Sequence, residues 1–300
     1  MMNTFFDASV WEKAWKEDRN TAVNKMLNAG MDPTRVFDKR AVAFNKEVFS
    51  EGGKKRTNRI LSWIEGQNVD FNGMTVLDIG AASGGFSVAF AERGARVTAV
   101  EPNGPLRELL QENIQDLPEG SVEVIAEPFE DIDLESKGWL NKFDLVFVSM
   151  CPVINDWEGA ERVLGCARGF CYISMPAGRR EHSLLDDVRT LVTQEPIRDE
   201  IMEFAYLLHL LYLKGYSFES ILSREVKTTK SDRETAYKEV INWLKIHGLP
   251  ADENSLSIIS EYLQQTYPDG HVEYQEGGRF GKVLIRLQDQ RMYTRKPRQA

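Results

Sequence analysis

The sequence predicts a doubly wound α/β fold: a seven-stranded, mostly parallel sheet whose last strand is antiparallel, with an N-terminal helical layer and a helical insertion between strands six and seven. Three observations carry this. From Met74 to Met175, short β-branched apolar runs alternate with amphipathic helical patterns, the signature of a parallel sheet covered on both faces. The first run, Val76-Leu77-Asp78-Ile79, breaks into the small residues Gly80-Ala81-Ala82-Ser83-Gly84-Gly85 and enters a helix. Two later stretches, 216–226 and 283–287, alternate with period two and read as strands six and seven, paired antiparallel at one edge.

Taken in order, residues 9–29 form an amphipathic helix with Trp11, Trp15, Ala22, Met26 and Leu27 on its apolar side, Ser9 as cap and Gly30 as stop. Asp32-Pro33 marks a turn. A second helix starts near Thr34 and carries Val36, Phe37, Ala41, Phe44, Val48 and Phe49. It is either a structural layer or a lid in which Phe37 and Arg40 close over a ligand. Gly52-Gly53 separates it from a third helix, 55–65, with Ile60, Leu61 and Ile64 as its stripe. Asn72-Gly73 turns into the core, where strands 74–79, 95–100, 121–126, 143–149 and 169–175 alternate with helices 84–93, 104–115 and 157–167. Helices follow at 183–194 and 198–214. The insertion holds two more, 234–246 and 255–266, about Gly248-Leu249-Pro250; a connection this long suits a binding cap. The expected organisation is a helical layer or lid at 1–66, a core at 67–229 and 269–290, a cap at 230–268 and a basic tail at 291–300.

Composition narrows the partners. Thirty-seven Lys and Arg against 46 Asp and Glu give a net charge of −9, which argues against holding nucleic acid by phosphate neutralisation and favours a small-molecule substrate. Basic runs at Lys54-Lys55-Arg56, Arg179-Arg180 and the tail (Arg291, Arg295, Lys296, Arg298) read as solvated faces or termini. Cys151, Cys166 and Cys171 form no C-x-x-C pair, and His182, His209, His247 and His271 lie far apart, so neither a disulfide framework nor a metal site is expected. The amino terminus lacks a basic, then apolar, leader, and no run reaches membrane length; a soluble, unprocessed cytoplasmic protein is expected.

Open α/β sheets bind ligands at the carboxyl ends of their strands. Asp78 and the small-residue loop close strand one, Glu101-Pro102-Asn103 closes strand two, Glu127-Pro128-Phe129 follows strand three, and Ser149-Met150-Cys151-Pro152 follows strand four. Glu101 follows Asp78 at about the spacing, roughly 20 residues, of a ribose-binding acid. A dinucleotide fingerprint needs glycine where Ala82 stands, and Asp78 would point a negative charge toward a pyrophosphate. A ligand with a cationic centre and no phosphate suits both residues better.

These stretches, with Ala99-Val100-Glu101-Pro102 and Phe143-Asp144-Leu145-Val146-Phe147-Val148-Ser149, resemble the motif series of class I S-adenosylmethionine-dependent methyltransferases across about residues 74–176. Phe37-Asp38-Lys39-Arg40-Ala41 resembles the helix that many small-molecule members place over the cofactor. The resemblance implies S-adenosylmethionine as cofactor and S-adenosylhomocysteine as product. It assigns Asp78, Gly80 and Gly84, with Ala81 and Ser83 between them, to the methionine end. Glu101 and Pro102 go to the ribose, Glu127 and Phe129 to the adenine, Ser149, Met150 and Cys151 to the floor beside the methyl group, and Phe37 and Arg40 to the lid. Ala82 departs mildly from the usual glycine, and Glu127-Pro128 from the usual Asp-Ala.

Ser149-Met150-Cys151-Pro152 is not the Asn/Asp-Pro-Pro-Tyr type of exocyclic-amine methylases, and Cys151 reads as packing rather than as a nucleophile. No general base is named. The acceptor pocket is expected among the N-terminal helices, the 177–214 helices and the insertion, with Trp11, Trp15, Tyr206 and Tyr212 as candidates. Two alternatives stay open: a non-catalytic S-adenosylmethionine-binding regulator and an NAD(P)-dependent oxidoreductase.

Overall fold

The computed structural model describes residues 2–28, 30, 32–35, 37–193, 202–246 and 249–288. His247, Gly248, Val36, the start of the 198–214 helix and the basic tail lie outside them. The chain runs through α1 (Met2–Phe5), α2 (Ala8–Glu17), α3 (Ala22–Asn28), α4 (Ala41–Val48) and α5 (Glu51–Glu65) before the sheet begins. Then follow β1 (Thr75–Ile79), α6 (Gly85–Ala91), β2 (Arg96–Val100), α7 (Gly104–Asn113), β3 (Val122–Ile125), β4 (Phe143–Ser149), α8 (Trp157–Cys166) and β5 (Ala167–His182). The last third holds α9 (Ser183–Thr193), α10 (Glu203–Leu213), β6 (Ser217–Asp232), α11 (Arg233–Ile246), α12 (Glu253–Thr266) and β7 (His271–Arg286).

The sheet order is β3-β2-β1-β4-β5-β7-β6. β1 to β5 pair in parallel, and β7 runs antiparallel to both of its neighbours, as predicted. Alternate residues of each central strand feed opposite faces. Leu77, Ile79, Val146, Val148 and Ile173 pack with α8 and α10, whereas Val76, Leu145, Phe147 and Tyr172 pack with Ile60, Leu61 and Ile64 of α5 and Phe90 of α6. With both faces covered, loops at the strand ends are where the chain can build a site.

The N-terminal layer differs from its expected outline. The 9–29 helix is two, because Asp18 ends α2 and the Thr21 hydroxyl accepts from Asn24 N at 3.2 Å to begin α3. Polar side chains that bond the local backbone outcompete helix continuation there. Asp7, rather than Ser9, caps α2, accepting from Ser9 N at 3.0 Å. The second helix starts only at Ala41; Pro33–Arg35 is a 3₁₀ turn set by Asp32, whose carboxylate accepts from Thr34 N at 2.9 Å. Gly52-Gly53 does not separate two helices but lies inside the first turn of α5, capped by Ser50. A Cβ on Gly53 would meet the Val48 carbonyl at 2.2 Å, so glycine lets α5 start directly against α4.

β5, β6 and β7 extend well past the predicted ends of their strands. Their 16 residues each carry the ladder beyond the parallel core, after an irregularity between Pro176 and Arg180. Proline leaves a ladder bond unmade, which is why the pattern breaks in sequence without ending the strand. On these arms α9, α11 and α12 pack into a separate apolar cluster that includes Leu184, Val188, Val240, Leu244, Ile259, Leu263 and Tyr274. No helix among the described residues is long and apolar enough to cross a membrane.

Candidate cofactor site

Between β1 and α6 the backbone alternates through left-handed conformations at Gly80 (φ 74°), Ala82 (φ 50°) and Gly84 (φ 89°). The turn is held from within. Gly80 N and Ala81 N donate to the Val100 carbonyl at 2.9 and 3.0 Å, Ala82 N to Glu101 Oε2 at 2.8 Å, and Gly84 N to the Ala81 carbonyl at 2.9 Å. Most of the loop's N–H groups are therefore spent on its own shape. The loop thus offers a contour and the carboxylates beneath it. Ala82 is the one left-handed residue here with a Cβ, which costs about 1–2 kcal/mol. Ala82→Gly is expected to raise unfolding stability by about 0.5–1 kcal/mol after the added freedom of the unfolded chain is subtracted, read by guanidinium denaturation. An unchanged or lower midpoint would show that the conformation carries no strain.

Two buried carboxylates flank the loop. Asp78 is 2% exposed and accepts from Ser87 Oγ at 2.6 Å. Burial, opposed by the Ser87 bond and reinforced by the nearby Glu101 charge, pushes its carboxyl up to about 7. Glu101 is 5% exposed; Oε2 accepts from Ala82 N and Oε1 from Asn103 N, both at 2.8 Å, so its oxygens are fixed and keep further accepting capacity. Its carboxyl is also raised, chiefly by burial. Neither makes an ion pair among the described residues.

Beside them opens a cavity of 460 Å³, within the range of small-molecule sites. Of the expected residues, Phe37, Gly80, Ala81, Ser83, Glu101, Pro102, Phe129, Ser149, Met150 and Cys151 line it. Asp78 and Gly84 stand behind the wall. Arg40 sits at the start of α4, away from the cavity, and Glu127 points off to pair with Lys137 at 3.1 Å. Phe44, Val48, Phe86, Asn103, Leu106, Glu130 and Val153 line it without having been singled out as site residues. Asn103 alone had a readable signal, an asparagine cap before Gly104-Pro105. The Cys151 thiol is pushed up to about 12 by burial and stays neutral. Among the described residues no group of three or more His, Cys, Asp or Glu is placed to hold a metal ion.

The segment 33–48 is fastened over the cavity by two asparagines. Asn103 Nδ2 donates to the Thr34 carbonyl at 2.9 Å and to Asp38 Oδ1 at 2.7 Å, while its Oδ1 caps α7 by accepting from Leu106 N. Asn113 Nδ2 donates to Asn45 Oδ1 at 2.9 Å and to the Ser83 carbonyl at 2.8 Å. Asn103→Asp keeps the cap but removes both donors and sets a carboxylate against Asp38. It should speed hydrogen exchange across 33–48 by roughly tenfold or more, the scale of about 1.4 kcal/mol of lost hydrogen bonding. Unchanged protection would mean that apolar contacts alone hold the segment down.

A second hollow of 880 Å³ meets the first at Glu47, Arg56 and Met150. The four aromatic candidates for the acceptor wall line neither space. Trp15 is fully buried and stacks on Tyr206 at 6.0 Å, Trp11 packs on His209 at 4.5 Å, and Tyr212 lines neither space. Trp11, Trp15 and Tyr206 belong to the seam between α2 and α10, where aromatic area stabilises packing.

Residues 76–170 match the family model of a methyltransferase domain. The cypemycin N-terminal methyltransferase of a Streptomyces species is 30% identical over 119 residues, 40% of this chain and 44% of that one. The chain thus matches less than half the length of that relative. Among solved structures, magnesium protoporphyrin IX methyltransferase from Synechocystis, with bound S-adenosylhomocysteine, aligns at a TM-score of 0.48 and 15% identity over 64% of this chain and 93% of that chain. Phosphoethanolamine N-methyltransferase 2 from Haemonchus contortus, in complex with S-adenosylmethionine, aligns at 0.49 and 15% over 87% and 60%.

Proposed function

We propose that the chain binds S-adenosylmethionine in the 460 Å³ cavity and transfers its methyl group to a small-molecule acceptor approaching over Met150. The observation that carries this reading is the pair of buried carboxylates, Asp78 and Glu101, which make no ion pair among the described residues and flank a left-handed loop inside the matched segment; the nearby Arg107, whose charge lowers the Glu101 pKa, is spent on the Glu101 and Pro102 backbone carbonyls. A buried anion without a counter-charge is costly, and a cationic ligand offsets that cost. When bound, the cofactor supplies a methyl group on a cationic sulfur, which passes to a lone pair of the acceptor as the carbon–sulfur bond breaks and its electron pair stays on sulfur.

The protein's part is placement. Glu101, fixed by two backbone N–H groups, accepts from the ribose hydroxyls; Asp78 supplies negative potential from beneath the loop. Phe37, Phe44, Leu106 and Phe129 enclose the ligand and exclude water. Met150, left-handed at φ 55° where β4 ends, stands at the passage between the two spaces. Alignment of this kind supplies on the order of 7–11 kcal/mol of barrier reduction. The neutral Cys151 thiol has no role as a nucleophile in this scheme.

Isothermal titration with S-adenosylhomocysteine, with NAD as comparison, tests the reading. A saturable isotherm for the former alone is expected, and one for NAD alone would overturn it. Tight cofactor binding with no transfer of labelled methyl to a broad acceptor panel would point instead to a regulator.

A further inference from the structure

Past Met150, the hollow has a chemistry that the cofactor does not use. Eight arginine and lysine side chains line it against three glutamates, in a chain whose net charge is −9. They arrive from four separate stretches: Arg56 from α5, Arg179 from β5, Arg224 from β6, and Arg279 with Lys282 from β7. Some of this charge staples the strand arms together, as where Arg224 grips Glu181 with both ends of its fork at 2.6–3.0 Å. Two of the three lining acids are shared, and the third, Glu47, borders the cavity as well. Glu225 serves both Arg59 and Lys282, at 3.4 and 3.3 Å, and Glu276 serves both Arg180 and Lys227, at 3.2 and 3.4 Å. Arg56 and Arg279 make no ion pair or hydrogen bond among the described residues.

Lys282 is only 9% exposed, its ammonium donating to Ser223 Oγ at 2.6 Å. Burial, the largest influence, moves its pKa below that of a free lysine, against the opposing pull of Glu225. Gly277 and Gly278 of β7 also border the hollow, and a Cβ on Gly277 would overlap the Glu225 carbonyl of β6, so glycine there lets the two strands lie close together. A ring of planar guanidinium forks about an open hollow matches carboxylate and phosphate groups and concentrates such anions from solution.

We infer that the methyl acceptor is a small anionic molecule, bearing carboxylate or phosphate groups that the hollow holds while its nucleophilic atom faces the cavity across Met150. This rests on the methyltransferase reading above and adds the class of its substrate. Arg56, which borders both spaces, sits where the anionic end meets the reacting end.

The full chain, saturated with S-adenosylhomocysteine, would be titrated calorimetrically with citrate and with inorganic pyrophosphate at ionic strength held constant by sodium chloride. Saturable binding of at least one is expected. Arg279→Gln and Arg56→Gln should each weaken it at least fivefold, and Arg279→Gln should leave S-adenosylhomocysteine affinity unchanged. No saturable heat with either anion, or undiminished binding by both variants, would overturn the inference. So would tighter binding of a short RNA or of phosphatidylglycerol vesicles than of pyrophosphate, since the occupant would then be a nucleic acid or a lipid surface. If S-adenosylhomocysteine itself fails to bind, the cofactor reading falls, and the same titration on the free chain still decides the hollow.

Discussion

Asp78→Asn is expected to bind S-adenosylhomocysteine more weakly than the parent protein above pH 7, by about 1.5–3 kcal/mol, the scale of a lost interaction with a charged group. It should also lose the pH dependence that the parent shows below 7. The carboxyl of Asp78 titrates near 7 because burial penalises its charge. A ligand carrying an ammonium prefers the ionised form, so binding expels a proton. Parent affinity should then rise up to tenfold per pH unit towards 7 and level off above it.

Stability runs the other way. An acid raised from its ordinary 3.8 to about 7 favours the fold fully below about pH 4, and the free protein loses that contribution as pH climbs to 7. At pH 8 the asparagine variant should therefore be the more stable protein, by up to roughly 4 kcal/mol if the whole shift is relieved. Titration calorimetry from pH 5.5 to 8.5 beside thermal melts checks both halves. Parallel loss of affinity and stability at pH 8 would mean that Asp78 serves the fold and not the ligand.

Gly80→Ala should abolish cofactor binding at any practical concentration. A Cβ there would stand 2.5 Å from Cys151 Sγ and 2.9 Å from Cys151 Cβ, at a backbone φ of 74° that disfavours any side chain. Left-handed strain of about 1–2 kcal/mol and overpacking of about 1–3 kcal/mol both fall on the seam between the β1 loop and the end of β4. That seam is a wall of the cavity, so relief must come from moving the loop or Cys151. Pairing the change with Cys151→Gly removes the overlap and leaves the backbone strain. Binding by the double variant should recover partly, and a strictly additive cycle would show that the two residues do not meet.

How legible all this was depended on whether the signal was local. The parallel core was readable because its strands are short, apolar and bounded by glycine and proline, and because Glu101 follows Asp78 at a recognisable spacing. The N-terminal layer was less so: apolar spacing marked its helices, while their ends were set by polar side chains, Asp18, Thr21 and Asp32, bonding their own backbone. Glu127 looked like a site residue by position along the chain, yet Lys137 draws it outward, and it is Glu130 that reaches the cavity. The basic hollow was hidden altogether. Arg179-Arg180 and Lys54-Lys55-Arg56 read as solvated runs, and an acidic total obscured a convergence that exists only once four distant stretches meet on the β5–β7 arms.

The place of β7 in the sheet constrains the order in which the molecule can assemble. Among the described residues it is the last strand in chain order, yet it lies between β5 and β6 and contributes Val283, Leu284 and Ile285 to the cores on both faces. A nascent chain that has not released residues 271–286 from the ribosome holds unfinished strand edges on β5 and β6, both of which β7 later covers. Such edges are templates for pairing with other chains. Closure must wait for contacts of long sequence separation, which form slowly. Aggregation of C-terminally shortened chains, and a dependence of soluble yield on chaperones during synthesis, follow from that one reversal of strand order.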